Sequence, residues 1–190
     1  MRVSVITPPA PVVTWEEADD YLRLDRDEEQ KLLVERLIRS ATAHLDGPDG
    51  VLGRALGLQT LEARFDDLGC EPLWLPCPPF VDVQSIWLFG RDTAVEIDAD
   101  AYVADQGYLV AAAAGWPALP SRWGIPRVRV HYRAGYAVEP NAEPVVPAVP
   151  EPIKEAILLM VAELFRNREL TAVDAAKAGD LLLQPYRVYV

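Results

Sequence analysis

Residues 156–162 read AILLMVA and contain no polar side chain. They lie within a helix that the sequence predicts over residues 152–170, preceded by prolines and ending in Arg166 and Arg168, whose charges suit a helix C-terminus. A surface helix needs one apolar stripe roughly 100° wide, whereas this run covers every face. The helix is therefore either the core of its own chain or a helix whose second face is covered by another subunit. The run is shorter than the roughly 20 apolar residues of a membrane span, so we expect no membrane association.

Length and composition indicate one globular unit. At 190 residues and 51% hydrophobic content, the chain can build a sizeable core. The net charge of -11 argues against a protein that wraps nucleic acid, because that mode needs clustered Lys and Arg. The N-terminus lacks the apolar region of a signal peptide, so we expect synthesis and assembly in a reducing cytoplasm.

The N-terminal third predicts an arm and two helices. Residues 1–13 are apolar and proline-rich, which favours an extended arm. Thr14 and Glu17 form a capping box that opens a short helix, and Asp25 and Glu28 repeat the signature. The second helix carries apolar residues at three- and four-residue spacings and stops at Gly-Pro; these residues are Leu33, Val34, Leu37, Ile38, Ala41 and Leu45.

From residue 58 to about residue 133 the hydrophobic period changes to two, which predicts a small antiparallel sheet. The last strand is the clearest, because apolar and cationic or titratable residues alternate along it. Its polar face carries Arg127, Arg129, His131 and Arg133. This face either meets an acidic partner or is balanced by neighbouring Asp and Glu residues.

The C-terminal third combines a spacer and an unusual end. Residues 139–152 contain five prolines, which favours a semi-rigid spacer that holds the terminal helix away from the sheet. Residues 181–190 are mostly apolar and aromatic, although a C-terminus is normally polar unless it docks onto something.

No residue pattern predicts an active site, a cofactor site or a metal site. Cys70 and Cys77 have too few histidines around them for a zinc site. The loop at residues 46–50 lacks the alternating ligands of a calcium loop and is interpreted as a turn. The aspartates at residues 66–67 and 98–100 lie near predicted strand ends, where Asp is common for backbone reasons.

Five stretches, taken in order, resemble the head-tail connector (adaptor) proteins of long-tailed bacteriophages and gene transfer agents. They are TWEEA at 14–18, LPCPP at 75–79, VHYRAGY at 130–136, VPEPIKEAI at 149–157 with RNRE at 166–169, and LL at 181–182 with PYR at 185–187. Together they span nearly the whole chain.

The resemblance implies a non-enzymatic structural protein without a cofactor. Its copies would form a twelvefold homo-oligomeric ring under the portal protein, at the neck of a particle assembled in the bacterial cytoplasm. The ring would receive a stopper or tail-proximal neck protein, and double-stranded DNA would pass through its channel without sequence-specific binding. The implied fold is α+β, mainly an α-helical bundle with a small antiparallel β insertion and a long C-terminal helix followed by an extended tail.

The expected segments form one structural unit. They are an N-terminal arm and helical pair (1–57), a β-rich insertion (58–137), a proline-rich linker (138–152), a C-terminal helix (153–170) and an extended docking tail (171–190). We expect portal docking through Leu181, Leu182, Pro185, Tyr186, Arg187, Val188 and Tyr189. We expect the subunit interface to use Ile157, Leu158, Met160, Val161, Phe165, Arg129 and Arg133.

Three alternatives stay open at this point. The first is a stopper or tail-completion protein of the same particle. The second is an unrelated small-ligand or metal-dependent enzyme that uses the acidic turns. The third is a protein-interaction module unrelated to particles.

Overall fold

The structure is a computed structural model that describes residues 1–68, 72–90, 93–113, 115–116, 128–142, 147–166, 179 and 181–188. The helices are α1 (Trp15–Leu22), α2 (Glu28–Leu45) and α3 (Glu151–Arg166). The strands are β1 (Arg2–Thr7), β2 (Gln59–Phe65), β3 (Leu73–Trp74), β4 (Phe80–Phe89), β5 (Ala94–Glu96), β6 (Tyr102–Asp105), β7 (Tyr108–Ala111) and β8 (Val128–Ala134). Short 3-10 turns lie at Ala99–Ala101 and Gln184–Tyr186.

The strands form two antiparallel sheets, so the expectation of a mainly helical bundle is wrong. Five strands are ordered β1-β2-β8-β4-β5, and three are ordered β3-β7-β6. In the described residues, strands account for about as much of the chain as helices do. The reason is that the sheets bury an apolar core of their own, centred on Leu61, Val130, Tyr132 and Ile86. A structure with its own core of this size is half of the fold rather than a decoration of the helices.

The helices enclose a second core. Helix α3 packs against α2 and α1, and it contributes Ile153, Ala156, Ile157 and Val161, all with no exposed surface. Five of the seven residues in the apolar run of α3 are thus buried within their own chain, as the first of the two possibilities requires, while Leu159 and Met160 are half-buried and leave some surface for another subunit. The predicted helix extended to residue 170, but residues 167–170 lie outside the described part of the chain.

Helix α1 begins where the sequence predicts. Thr14 accepts a hydrogen bond from the Glu17 backbone N–H, and the Glu17 carboxylate accepts one from the Thr14 backbone N–H. The capping box is therefore confirmed. The second predicted box is wrong, because the N-cap of α2 is Asp27, whose side chain accepts from the Glu29 backbone N–H, while Asp25 has a positive φ of 55°.

Two predicted extended segments have different roles in the structure. The N-terminal arm is strand β1, which pairs with β2 at one edge of the larger sheet. The described part of the proline-rich segment runs back along the body, since Ala148 donates its N–H to the Tyr136 carbonyl and Val149 is buried in the helical core. This segment ties the sheet to the helices rather than holding them apart.

Candidate assembly surfaces

The polar face of β8 is balanced within the chain. On β2, directly opposite His131, Glu62 is 4% exposed and accepts hydrogen bonds from His131 and Arg64. Burial alone would raise the pKa of Glu62, but these hydrogen bonds outweigh it and lower the pKa. The Arg129 guanidinium lies over the Phe89 ring, 4.2 Å from its centroid, in a cation–π contact.

Arg133, at the end of β8, ties three parts of the chain together. Its guanidinium donates to the Asp82 carboxylate on β4, to the Pro140 carbonyl and to the Asn141 side chain. The hydrogen bond from Arg133 lowers the pKa of Asp82. The sequence allowed either an acidic partner or neighbouring acids to balance this strand face. His131 and Arg133 are balanced by acids of their own chain. Arg127 lies outside the described residues. A contact of Arg129 or Arg133 with another subunit stays a prediction.

The predicted interface residues of α3 fall into a buried group and a half-buried group. Ile157, Leu158 and Val161 belong to the helical core of their own chain, with 8% exposure at most. Met160 and Phe165 are half-buried and pack against the same core. Only the latter two therefore offer surface to a neighbouring subunit without a rearrangement of the core.

The C-terminal tail folds onto its own body. Residues 181–183 are helical and continue into the turn at Gln184–Tyr186, so the described part of the tail is not extended. Leu183 is buried in the helical core and Tyr186 packs against it. Arg54 donates from Nε to the Tyr186 carbonyl, and Val188 donates its N–H to the Leu52 carbonyl at 2.9 Å.

A glycine permits this close approach of the tail. Gly53 has a positive φ of 61°, and a Cβ placed there would stand 3.3 Å from the Val188 carbonyl oxygen. A larger residue would therefore be strained and would press on the tail.

The predicted docking residues include an exposed group and a half-buried group. Leu181 is 76% exposed and Leu182 is 37% exposed, and Pro185 is exposed as well. Tyr186, Arg187 and Val188 are half-buried against the chain itself. Tyr189 lies outside the described residues. Leu181, Leu182 and Pro185 thus lie at the surface, and Tyr186, Arg187 and Val188 pack against the body of the chain.

Asp46 links the end of α2 to the start of β2, a role that the sequence did not indicate. It caps the C-terminus of α2, and its carboxylate accepts hydrogen bonds from the Leu56 backbone N–H at 2.6 Å and from the Gln59 side chain at 3.0 Å. Burial raises the pKa of Asp46, and these hydrogen bonds offset part of that rise. The available signal was an Asp between a helix end and a Gly-Pro turn, which we interpreted only as part of the turn.

The remaining chemistry-bearing residues form no cluster in the described ranges. No group of three or more His, Cys, Asp or Glu side chains is placed there to hold a metal ion. Cys77 is a buried free thiol, and burial raises its pKa to about 12. Cys70 lies outside these ranges. None of the helices in the described part of the chain is both long and apolar enough to cross a membrane.

Comparison with known proteins gives a structural match without a sequence match. No protein-family model and no curated protein matches the chain. Among solved structures it is similar to a chain from the neck of an empty gene transfer agent particle computed with C6 symmetry, with a TM-score of 0.78 at 20% identity. It is also similar to a chain of the native gene transfer agent virion, with a TM-score of 0.74 at 20% identity.

A third similar chain comes from the neck of a native gene transfer agent particle computed with C12 symmetry, with a TM-score of 0.66 at 18% identity. Each of these three alignments covers 100% of this chain and 97% of the other chain. At these identities the likeness establishes the fold. The chain has, over its whole length, the fold of structural chains found in gene transfer agent particles and their necks.

Proposed function

We propose that this chain is a structural neck component of a gene transfer agent or bacteriophage particle, and specifically its head-tail adaptor. Copies form a ring under the portal, join the DNA-filled head to the tail and leave a channel through which DNA passes. The observation that carries the proposal is the full-length likeness to neck chains solved with C6 and C12 symmetry. The five sequence stretches that resemble adaptor proteins support the same role.

The charge of the chain suits a DNA passage. With a net charge of -11, its surface repels the duplex on average, so DNA that passes along it is not held by phosphate contacts. A protein that gripped the DNA would be expected to carry an excess of cations, whereas this chain has 18 Lys and Arg residues against 29 Asp and Glu residues.

We assign portal docking to the exposed part of the tail. Leu181 and Leu182 are apolar, adjacent and open, and removing such side chains from water on docking is favourable by about 25 cal/mol per Å² of apolar surface. Leu183 and the Arg54 hydrogen bond fix the tail on the body, which reduces the entropy lost on docking. In a ring, docking of the first tail raises the effective concentration of the others.

The test is negative-stain microscopy of the purified protein mixed with the portal complex. The wild type should add a ring beneath the portal, and a Leu181→Asp, Leu182→Asp double variant should add none. Point variants are preferable to truncation after residue 179, because truncation would also remove the buried Leu183 and destabilise the helical core. The matched control is Leu32→Asp, which changes a leucine on α2 that is 74% exposed.

Each outcome has a clear meaning. A ring that forms equally well with the double variant would contradict the docking assignment. No ring with the wild-type protein would contradict the adaptor role. A ring that appears only after another neck protein has been added to the portal would indicate a stopper or tail-completion protein instead.

A further inference from the structure

The smaller sheet, ordered β3-β7-β6, is apolar on both of its faces. One face carries Leu109, which is buried in the core of the sheets. On the opposite, outer face, Val103 of β6 lies directly across from Val110 of β7, and the two are 59% and 46% exposed. Tyr108, which is 50% exposed, continues this face beside Trp74 of β3. A sheet with one solvated face normally places polar residues there, so an apolar outer face indicates a contact with another molecule.

This outer face carries acidic residues as well. Asp105 lies on it, directly across from Tyr108, and Asp98 and Asp100 lie in the 3-10 turn that leads into β6. All three aspartates are exposed, and none forms an ion pair with another described residue. Residues 93–113 contain no Lys, Arg or His. We call this surface the acidic face, and it consists of Val103, Asp105, Tyr108 and Val110 with Asp98 and Asp100.

A cationic surface lies on the solvent side of the larger sheet. Arg2, Arg64 and Arg129 are side by side on β1, β2 and β8, and we call them the arginine row. Like charges directly opposite each other on neighbouring strands are destabilising. Trp87 of β4 lies opposite Arg129 and is half-buried, so it adds an aromatic side chain to this surface.

The chain compensates the arginine row only in part. Arg64 donates a hydrogen bond to the Glu62 carboxylate. The Arg129 guanidinium lies over the Phe89 ring, and its buried Nε has no hydrogen-bond acceptor among the described residues. Arg2 is exposed and pairs with no carboxylate in the described part of the chain. An anionic partner would therefore stabilise a set of cations that repel one another within the free chain.

We propose that the acidic face of one copy packs on the arginine row of the next copy and so joins successive subunits of the ring. This inference rests on the proposed function, because a ring requires two different surfaces in a head-to-tail contact. The two surfaces have opposite charge, and each combines charged with apolar or aromatic side chains. They belong to different sheets of the chain, so both are available to other copies.

Double-stranded DNA fits the arginine row less well than a second copy does. The net charge of -11 repels the duplex from the chain as a whole. A contact with DNA would also leave the apolar part of the acidic face uncovered. Packing between copies covers both surfaces at once, and it gives Arg129 the subunit contact that the sequence predicts.

The first test is photo-cross-linking in rings assembled on the portal complex. The photoreactive residue p-benzoylphenylalanine replaces Val103, and equal amounts of isotope-labelled and unlabelled protein are mixed. Cross-linked peptides with one labelled and one unlabelled half come from two copies, and they should contain β1, β2 or β8 of the second copy. The matched control carries the same photoreactive residue at Leu32, which is 74% exposed on α2 and belongs to neither surface. It should give no such peptides.

The second test is charge reversal at one exposed position of each surface. Arg2→Glu alone and Asp105→Lys alone should each lower the yield of closed rings by about threefold or more, because every contact then gains a repulsion in place of an attraction. The double reversal should restore the yield. Arg2→Lys and Asp105→Glu keep the charges and should assemble as the wild type does.

The outcomes separate this contact from the proposed function. Rings that form at wild-type yield with every charge variant, and without cross-links from Val103 to a second copy, would overturn the contact and leave the adaptor role standing. Cross-links from Val103 to the portal would overturn it in favour of a portal-docking role for the acidic face. Loss of DNA binding by Arg2→Glu rings at unchanged yield would assign the arginine row to DNA instead. If the wild-type protein forms no ring, the proposed function fails, and the contact with it.

Discussion

Replacing Ile157 by alanine should destabilise the single chain, not only its assembly. Ile157 lies in the middle of α3 with no exposed surface, inside the core that α3 shares with α1 and α2. If α3 were chiefly a subunit interface, the same substitution would leave the isolated chain unaffected and would impair ring formation. The two interpretations of the apolar run therefore predict different results from one substitution.

The expected loss follows from the burial of this side chain. The change removes three carbon groups, at about 0.8 kcal/mol each, which gives a transfer contribution of about 2 kcal/mol. The cavity that remains adds to this, so we expect a loss of about 3 to 4 kcal/mol in the free energy of unfolding. With a urea m-value of about 2 kcal/mol/M, the midpoint should fall by about 1.5 to 2 M.

The assay is equilibrium urea unfolding, followed by circular dichroism at a concentration where the chain does not associate. Leu32→Ala on α2 is the control, because that leucine is 74% exposed and its loss should change stability by no more than about 0.5 kcal/mol. An Ile157→Ala midpoint equal to that of the wild type would refute the assignment of α3 to the core of its own chain. If ring formation were lost at the same time, the helix would be an interface.

Substitutions at three further sites test local features, each by urea unfolding. Asp46→Ala should cost about 1 to 3 kcal/mol, because it leaves the Gln59 amide and a backbone N–H without their acceptor, and Asp46→Asn should cost less because it keeps an acceptor oxygen. Thr14→Ala should cost about 1 kcal/mol and Thr14→Ser almost nothing, since serine preserves the cap. The pKa of Asp82 is lowered by Arg133, so its contribution is complete above the unfolded pKa of about 4, declines below it and is lost as pH falls through the lowered folded pKa. The wild type should therefore exceed Asp82→Asn in stability at pH 7, by less than about 1 kcal/mol at this partly exposed site, and a difference that did not shrink as the pH was lowered below about 4 would contradict the assignment.

Elements with strong local signals were predictable from the sequence. The capping box at Thr14 and the three- and four-residue spacing of the next helix fix α1 and α2, because these signals depend on neighbouring residues alone. The alternation at residues 128–134 likewise predicts β8 and its two faces. The predicted elements are present in the fold because their apolar faces are the faces that pack against the core.

Features that depend on distant partners were not predictable in the same way. Strand β1 shows a short alternation at Val3 and Val5, but the following prolines led us to interpret it as an arm, and only its pairing with β2 makes it a strand. The tail is apolar whether it docks on another protein or on Arg54 and Leu52 of its own chain. Sequence periodicity cannot distinguish these cases, because both require apolar side chains in the same short segment.

Burial separates the core from the assembly surface more sharply than residue type does. The apolar residues of α3 are used by the chain itself, and so is Leu183 in the tail. Several apolar side chains remain open, and Leu181 in the tail is among the most exposed of them at 76%. Because an open leucine contributes little to the stability of its own chain, substitution at Leu181 should leave the urea midpoint unchanged and reduce the addition of a ring beneath the portal. Substitution at Ile157 should first lower the midpoint, so one pair of measurements assigns each apolar position to the chain or to the ring.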